Sequence, residues 1–445
     1  MKKHIFLIGA GRSATVLIQY LLETCAQNSW LLTIGDANVT LAHQKLNDHS
    51  SGKAIEIDIN DTDKVTSIVK QSDLVISMLP PGLHGLVAIA CLREGVHLLT
   101  ASYLTDELYA MDEKAKAKNI IMLNECGLDP GIDHMSAMKV LDEIRDKGGE
   151  IIGFESFTGG LLASNSDANP WGYKFTWNPR NVVLAGHGVV KFIQNGRYKY
   201  IPYPKLFRRI EMIHIPGYGY FEGYANRDSL KYREIYGLDD IQTMYRGTLR
   251  RPGFCKAWNV FVELGATSDS FQMEGVGDMT HRQFINSFLS YNPNDSVELK
   301  LAHYLNLDLE GEEMHRLTWL GLFEEEVIGI NEGSPAQVLE HILKKKWTME
   351  ENEGDMIIMW HKFNYLLNGV EKEQHATLVA VGENQQNTAM AKTVGLPLGI
   401  AAKLILNGVI KSRGVCAPTV KDIYEPILDE LINKHDCKFI EEEIS

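Results

Sequence analysis

The chain is 445 residues long, 44% hydrophobic and 23% charged, and its 44 basic and 58 acidic residues give a formal net charge of −14. That length suits two or three domains, each with its own core. The acidic balance argues against a general binder of nucleic acid or membrane surface, so an anionic ligand has to be met by a local cluster of cations.

Residues 4–8, HIFLI, read as a short buried strand, and GAGRSATVLIQYLLETC follows as a glycine turn opening an amphipathic helix. Gly9, Gly11 and Ala14 give the G-x-G-x-x-A form of the dinucleotide fingerprint in its required context. The first glycine permits the tight turn and the second lets the backbone approach a pyrophosphate at the helix N-terminus. Small Ala14 lets helix and strand pack closely. Without that context the motif would be only a glycine turn. Further strands are predicted at WLLTIG (30–35), KAIEIDI (53–59), DLVISML (73–79), VHLLTA (96–101) and IIMLN (120–124), with helical stretches between them. Six apolar strands alternating with helices predict an α/β fold, a Rossmann doubly wound parallel sheet. Ligands bind beyond the carboxyl ends of such strands, which singles out Asp58, MLPPGLHG (78–85) and ASY (101–103).

The second strand ends in Asp36, whose carboxylate can accept hydrogen bonds from both ribose hydroxyls of NAD and repels the 2′-phosphate of NADP. GDANVT offers no Arg or Lys to offset that repulsion, so NAD is the expected cofactor and NADP the second choice. The competing reading makes Asp36 a cap for a helix starting near Val39.

ECGLDPGIDHM (125–135) lies just past the last of these strands. Asp129–Pro130–Gly131 is turn chemistry. Asp133 suits a cap or first turn, and Met135, Met138, Leu141 and Ile144 fall at helical spacing. One histidine with a few acids is no ligand set, and no HExxH or CxxC exists elsewhere, so no metal is expected. A plain turn leaves unexplained why Asn124, Glu125 and Asp129 crowd the cofactor edge.

After residue 150 the strand GEIIGFESFTGG opens a second α/β region, in which Gly159–Gly160 would let backbone approach a ligand. Lys174 and Arg180 follow among aromatics, then Arg227 in NRDS and Arg246, Arg250 and Arg251 in YRGTLRR. Planar arginines suit bidentate carboxylate binding, although any single one is as readily an ion-pair residue. Residues 268–350 read as a charged helical insertion that covers a cleft or serves a subunit contact, with Leu317, Leu320 and Phe323 as core packing. DMIIMWHKF and QHATLVAVG return as strands, followed by a small-residue helix containing Pro397 and a terminal amphipathic helix. The expected domains are 1–128 with 390–445 for the dinucleotide, 129–267 with 351–389 for the substrate, and the insertion 268–350.

NECGLDPGIDHM, GGLLASNSDANPWGYKFTW, NRDS, YRGTLRRPGF, WLGLF, DMIIMWHKF and AKTVGLPLGIAAKLIL together strongly resemble the glutamate-forming saccharopine dehydrogenases, also called saccharopine reductases, in matching order over nearly the whole chain. The resemblance implies an oxidoreductase of lysine metabolism that oxidises saccharopine reversibly, through an imine and its hydrolysis, to glutamate and 2-aminoadipate 6-semialdehyde. It also implies that the last segment rejoins the first domain. The fungal enzymes carry a basic residue after the second strand and use NADP, whereas this chain has Asp36. Expected cofactor contacts are Gly9, Ala10, Gly11, Arg12 and Ser13 in the loop, then Asp36, Asp58, Ile59, Leu79, Ala101, Ser102 and Leu128. Ser102, Tyr103, Asp129, Arg227, Thr248, Leu249 and Arg250 match the family's substrate contacts. The amine must lose a proton and water must be activated, so a base is required. Asp129 is the first candidate, ahead of Tyr103 and Lys174; His134 and His361 stay open as bases, although a lone histidine on an apolar stretch is usually a satisfied core residue.

Two other functions compete. A carboxyspermidine- or homospermidine-type dehydrogenase runs similar imine chemistry on polyamine conjugates but should have a pocket richer in acids. A non-catalytic NAD-binding regulator would have no use for Arg227, Arg246 and Arg250 together. The six scattered cysteines, without a CxxC pair, suit reduced thiols in a cytoplasm. The apolar start stops at Gly9, unlike a signal peptide, and no apolar run reads as a membrane span. The expected partner is a small amino-acid substrate, not nucleic acid or membrane, and a homodimer is compatible with the insertion.

Overall fold

The computed structural model describes residues 2–163 and 169–444 and divides into two compact units, residues 1–151 with 365–445 and residues 152–364. Residues 164–168, inside the segment GGLLASNSDANPWGYKFTW quoted above, lie outside the described residues.

In the first unit β1 (His4–Ile8), β2 (Leu31–Asp36), β3 (Gly52–Glu56), β4 (Leu74–Ser77), β5 (His97–Thr100) and β6 (Ile121–Leu123) form a parallel sheet. A seventh short strand, Gly414–Cys416, pairs in parallel with β6. The order across the sheet is Gly414–Cys416, β6, β5, β4, β1, β2, β3, a doubly wound arrangement whose direction reverses between β1 and β4. Helices on both faces explain why β1 and β4 are continuous apolar runs rather than alternating ones: from Ile5 to Ile8 no side chain is more than 1% exposed. The reversal point, beyond the carboxyl ends of β1 and β4, is where such sheets hold ligands.

Helix α1 (Thr15–Asn28) lies against the helix Ala389–Leu406. By length and composition that second helix would cross a membrane, but two-thirds of it is buried in the protein. Its small residues have a packing purpose. A Cβ added at Gly395 would come within 2.9 Å of the Leu17 backbone, and one at Gly399 within 2.5 Å of the Tyr20 ring.

The unit boundaries differ from those expected. Residues 129–151 belong to the first unit because the helix Ile132–Asp146 packs on the helix Lys421–His435, with Tyr424 Oη donating to Asp142 at 2.6 Å. The strand Val370–Val381 also belongs there, paired with Phe439–Ile444.

In the second unit the sheet runs β10 (Ile210–Ile215), β11 (Gly219–Ala225), β12 (Thr243–Arg250), β7 (Glu150–Leu162), β13 (Asp355–Leu367). A hairpin of β8 (Val189–Gln194) and β9 (Arg197–Pro202) pairs with β12 through β8. The core is an aromatic cluster in which Trp171, Tyr173, Phe175, Phe254 and Trp258 surround Trp347, with ring centroids 5.0–6.2 Å from it. Residues 268–350 are no separate insertion, because Trp347 lies in that core. Arg316 also donates from Nε to the Pro170 carbonyl at 2.9 Å and from Nη2 to the Pro252 carbonyl at 3.2 Å. The Trp171 indole donates in return to the Arg316 carbonyl.

Candidate active site

The glycine loop leaves β1 with Gly9 at φ +100°, where an added Cβ would lie 2.9 Å from the Met78 carbonyl oxygen. Glycine is needed at that turn. A Cβ at Gly11 would meet nothing within 4 Å, and no side chain caps the 3₁₀ turn Arg12–Ala14 or α1. Open space over uncapped N–H groups at a helix start is the cradle a pyrophosphate requires, so the residues fit a dinucleotide.

Asp36 does not cap the next helix. Asn38 does, accepting from Leu41 N–H ahead of α2 (Val39–Leu46). Asp36 turns back to the loop and accepts from Ala10 N–H at 2.7 Å and from Asn38 N–H at 2.8 Å, one bond on each oxygen. The remaining lone pairs are available to ribose hydroxyls. Lys45 was not anticipated. From the far end of α2 it donates to the Gly11 carbonyl, and burial pulls its pKa down to about 8 against the opposing pull of Asp36. Asp58 begins a turn, with Oδ1 accepting from Asn60 N–H at 2.9 Å, and Ile59 and Leu79 are half-buried at the edge of the core beneath.

ECGLDPGIDHM is a scaffold. From Ile120 to Met138 every residue is buried except Asp129, which is partly open. Gly131, at φ +148°, closes the turn so tightly that an added Cβ would sit 2.1 Å from the Gly127 carbonyl oxygen. Gly127 N–H donates to the Pro130 carbonyl and Ile132 N–H to the Gly127 carbonyl. Asp133 lies in the first turn of the following helix, its Oδ1 accepting from Gly131 N–H. Glu125, in the left-handed region at φ +54°, meets His134 Nε2 at 2.7 Å with both side chains buried. Its other oxygen accepts Leu104 N–H at 2.8 Å, and Glu125 N–H donates to the Ser102 carbonyl at 3.0 Å. The loop after β6 is thereby stitched to the loop after β5, so Ala101, Ser102 and Tyr103 share one sheet edge with Leu128 and Asp129. Of the two readings open for His134, the buried pairing with Glu125 favours the core residue.

In the second unit Arg246, Thr248 and Arg250 alternate onto one face of β12. Arg246 stacks on Tyr232 at 4.3 Å. Arg250, only 5% exposed, lies among Tyr173, Tyr224 and Phe254 at 5.0–6.0 Å. Its Nη1 donates to the Leu249 carbonyl at 2.9 Å, and its Nε has no partner among the described residues. Glu222 faces Arg250 in register, but its carboxylate accepts Gly253 and Cys255 N–H at 2.6 and 2.8 Å and so caps the helix Phe254–Leu264. Thr158 Oγ1 is also buried without a partner among the described residues, and it stands opposite Thr248 in register. A buried guanidinium with an orphaned polar neighbour is a receptor for an anion.

Three expectations need correcting. Lys174 is buried and donates to both oxygens of Glu353 at 2.7 Å, so it is held in a structural pair and not presented to a ligand as a base. Leu249 points its fully buried side chain to the opposite face of β12, which leaves only its backbone for a ligand. Arg180 is bound to Asp269, apart from the β12 row. Arg227 is exposed on the loop after β11, and the backbone there is tied to β12 by Asn226 N–H donating to the Arg246 carbonyl at 2.9 Å.

Comparison with known proteins agrees with this arrangement. The family model described as the saccharopine dehydrogenase NADP binding domain matches residues 5–123, and the saccharopine dehydrogenase C-terminal domain matches residues 127–436. The L-glutamate-forming, NADP(+) saccharopine dehydrogenase of Schizosaccharomyces pombe is 32% identical over 96% of this chain and 96% of its own length. The mitochondrial alpha-aminoadipic semialdehyde synthase of Rattus norvegicus is 34% identical over 97% of this chain, which spans only 47% of that relative. The solved apo saccharopine dehydrogenase (L-Glu forming) of Saccharomyces cerevisiae superposes with a TM-score of 0.89 at 30% identity, covering 100% of both chains. With both halves matched in order, the chain belongs to the saccharopine dehydrogenase family.

Proposed function

We propose that the chain oxidises saccharopine to L-glutamate and 2-aminoadipate 6-semialdehyde with a nicotinamide dinucleotide. The observation that carries this reading is Arg250, a buried guanidinium with an unpaired Nε and no counter-anion from β11. A substrate with three carboxylates supplies the missing charge, whereas a polycationic polyamine would be repelled by it.

The bound cofactor supplies the hydride acceptor. Asp129 takes a proton from the substrate's ammonium, the adjacent carbon passes its hydride to the nicotinamide to leave an iminium, and Asp129, once it has released that proton to solvent, activates the water that hydrolyses the iminium. The partial opening of Asp129 in an otherwise buried run supports this role. The fungal relatives are named for NADP(+), but Asp36 supports NAD as the preferred cofactor here, with Lys45 softening the bias against a 2′-phosphate.

The test is Arg250→Lys, which keeps the charge and loses the planar fork. The KM for saccharopine should rise about thirtyfold, near 2 kcal/mol, with the KM for cofactor unchanged. An unchanged saccharopine KM would refute the assignment.

A further inference from the structure

Ser77 ends β4, His84 opens α3 (His84–Glu94), and Ser102 lies two residues past β5. Ser77 Oγ stands 2.8 Å from His84 Nδ1, and His84 Nε2 stands 2.6 Å from Ser102 Oγ. Ser77 and His84 are buried while Ser102 is half-buried, so the chain of bonds runs from the core to the sheet edge. Burial pulls the imidazole pKa down to about 4, leaving one ring N–H at neutral pH.

Which nitrogen carries that proton follows from counting donors. With the proton on Nδ1, the ring donates to Ser77 and the buried Ser77 hydroxyl has no acceptor, while Nε2 offers a single lone pair to Ser102. With the proton on Nε2, Ser77 donates to Nδ1 and Nε2–H donates to Ser102 Oγ, so both buried groups are satisfied. The Thr100 hydroxyl, 3.5 Å from Nε2, is at the outer limit of hydrogen bonding and does not alter the choice. In this tautomer Ser102 accepts from the protein and its own O–H is turned outward.

We infer that Ser77 and His84 are positioning residues that fix Ser102 as a hydrogen-bond donor to an acceptor oxygen of the bound ligand, either a carboxylate of the amino-acid substrate or the carboxamide oxygen of the nicotinamide. The assignment of Ser102 to a ligand rests on the function proposed above; the tautomer does not.

The experiment has two arms. Two-bond ¹H–¹⁵N correlation spectra of histidine-labelled apo protein, with His84 assigned by its loss in His84→Gln, should show the neutral Nε2–H pattern at pH 7, and that pattern should be lost in Ser77→Ala. A Nδ1–H or doubly protonated pattern would overturn the inference. In steady-state kinetics Ser77→Ala and Ser102→Ala should each raise one KM about tenfold. A rise for saccharopine identifies the carboxylate as acceptor, and a rise for the cofactor identifies the carboxamide. The double variant should be no worse than Ser102→Ala alone, because both changes remove the same donor. Additive losses, or no KM change, would overturn it. Absence of saccharopine turnover in the unmodified protein would sink the proposed function and leave the spectroscopic arm intact.

Discussion

Asp36 and Lys45 bring opposite charges to one glycine loop, and a 2′-phosphate would feel both. The Lys45 ammonium attracts it and the Asp36 carboxylate repels it. Because burial lowers Lys45 to about 8, the ammonium is present below that pH and is lost as pH rises through it. The kcat/KM for NADP should therefore fall about tenfold between pH 7 and pH 9.5 while that for NAD stays level, and Lys45→Ala should remove the step. A parallel decline for both cofactors would show that Lys45 does not face the phosphate. Asp36 was legible in the sequence because a strand end after a glycine fingerprint is a fixed place. Lys45 was not, because only the fold of α2 returns it to Gly11. Lys174 misled for a similar reason: its partner, Glu353, lies 179 residues away.

Among the elements, the loop Asn124–Gly131 shows what composition alone leaves open. Its acids, proline and glycines predicted a turn at the cofactor edge, and the turn is there. What the sequence did not disclose is that Glu125 serves as an internal brace, holding His134 on one oxygen and Leu104 N–H on the other. Glu125→Ala should cost about 3 kcal/mol in denaturant unfolding, since it leaves a buried imidazole and a backbone N–H without their partner. A loss below about 1 kcal/mol would mean that water replaces the carboxylate. Strands such as β1 and β4 were readable because parallel strands buried on both faces are unbroken apolar runs, whereas β3, GKAIE at the sheet edge, is only partly buried. Gly414–Cys416 escaped notice because three residues carry no periodicity, and only pairing with β6 makes them a strand. Along β12, strand alternation separates Arg246, Thr248 and Arg250 from Leu249, a distinction that YRGTLRR already contained and that the expected contacts overlooked.

For the whole molecule, each unit carries its own set of candidate groups. One offers an open glycine cradle, an acid at the end of β2 turned to that loop and a stitched edge carrying Ser102, Tyr103 and Asp129. The other offers a buried guanidinium whose Nε has no partner among the described residues. The helices between residues 268 and 350 looked like an insertion because they are charged and periodic, yet Trp347 and Arg316 fasten them into the second unit's core. Long-range aromatic packing of that kind leaves no local signal. The central claim is tested most directly by following reduced-cofactor absorbance while the purified chain oxidises saccharopine, with NAD and NADP at matched concentrations. The account predicts turnover, with NAD favoured at least tenfold at pH 8.5, about 1.4 kcal/mol of discrimination. No turnover with either cofactor would contradict it.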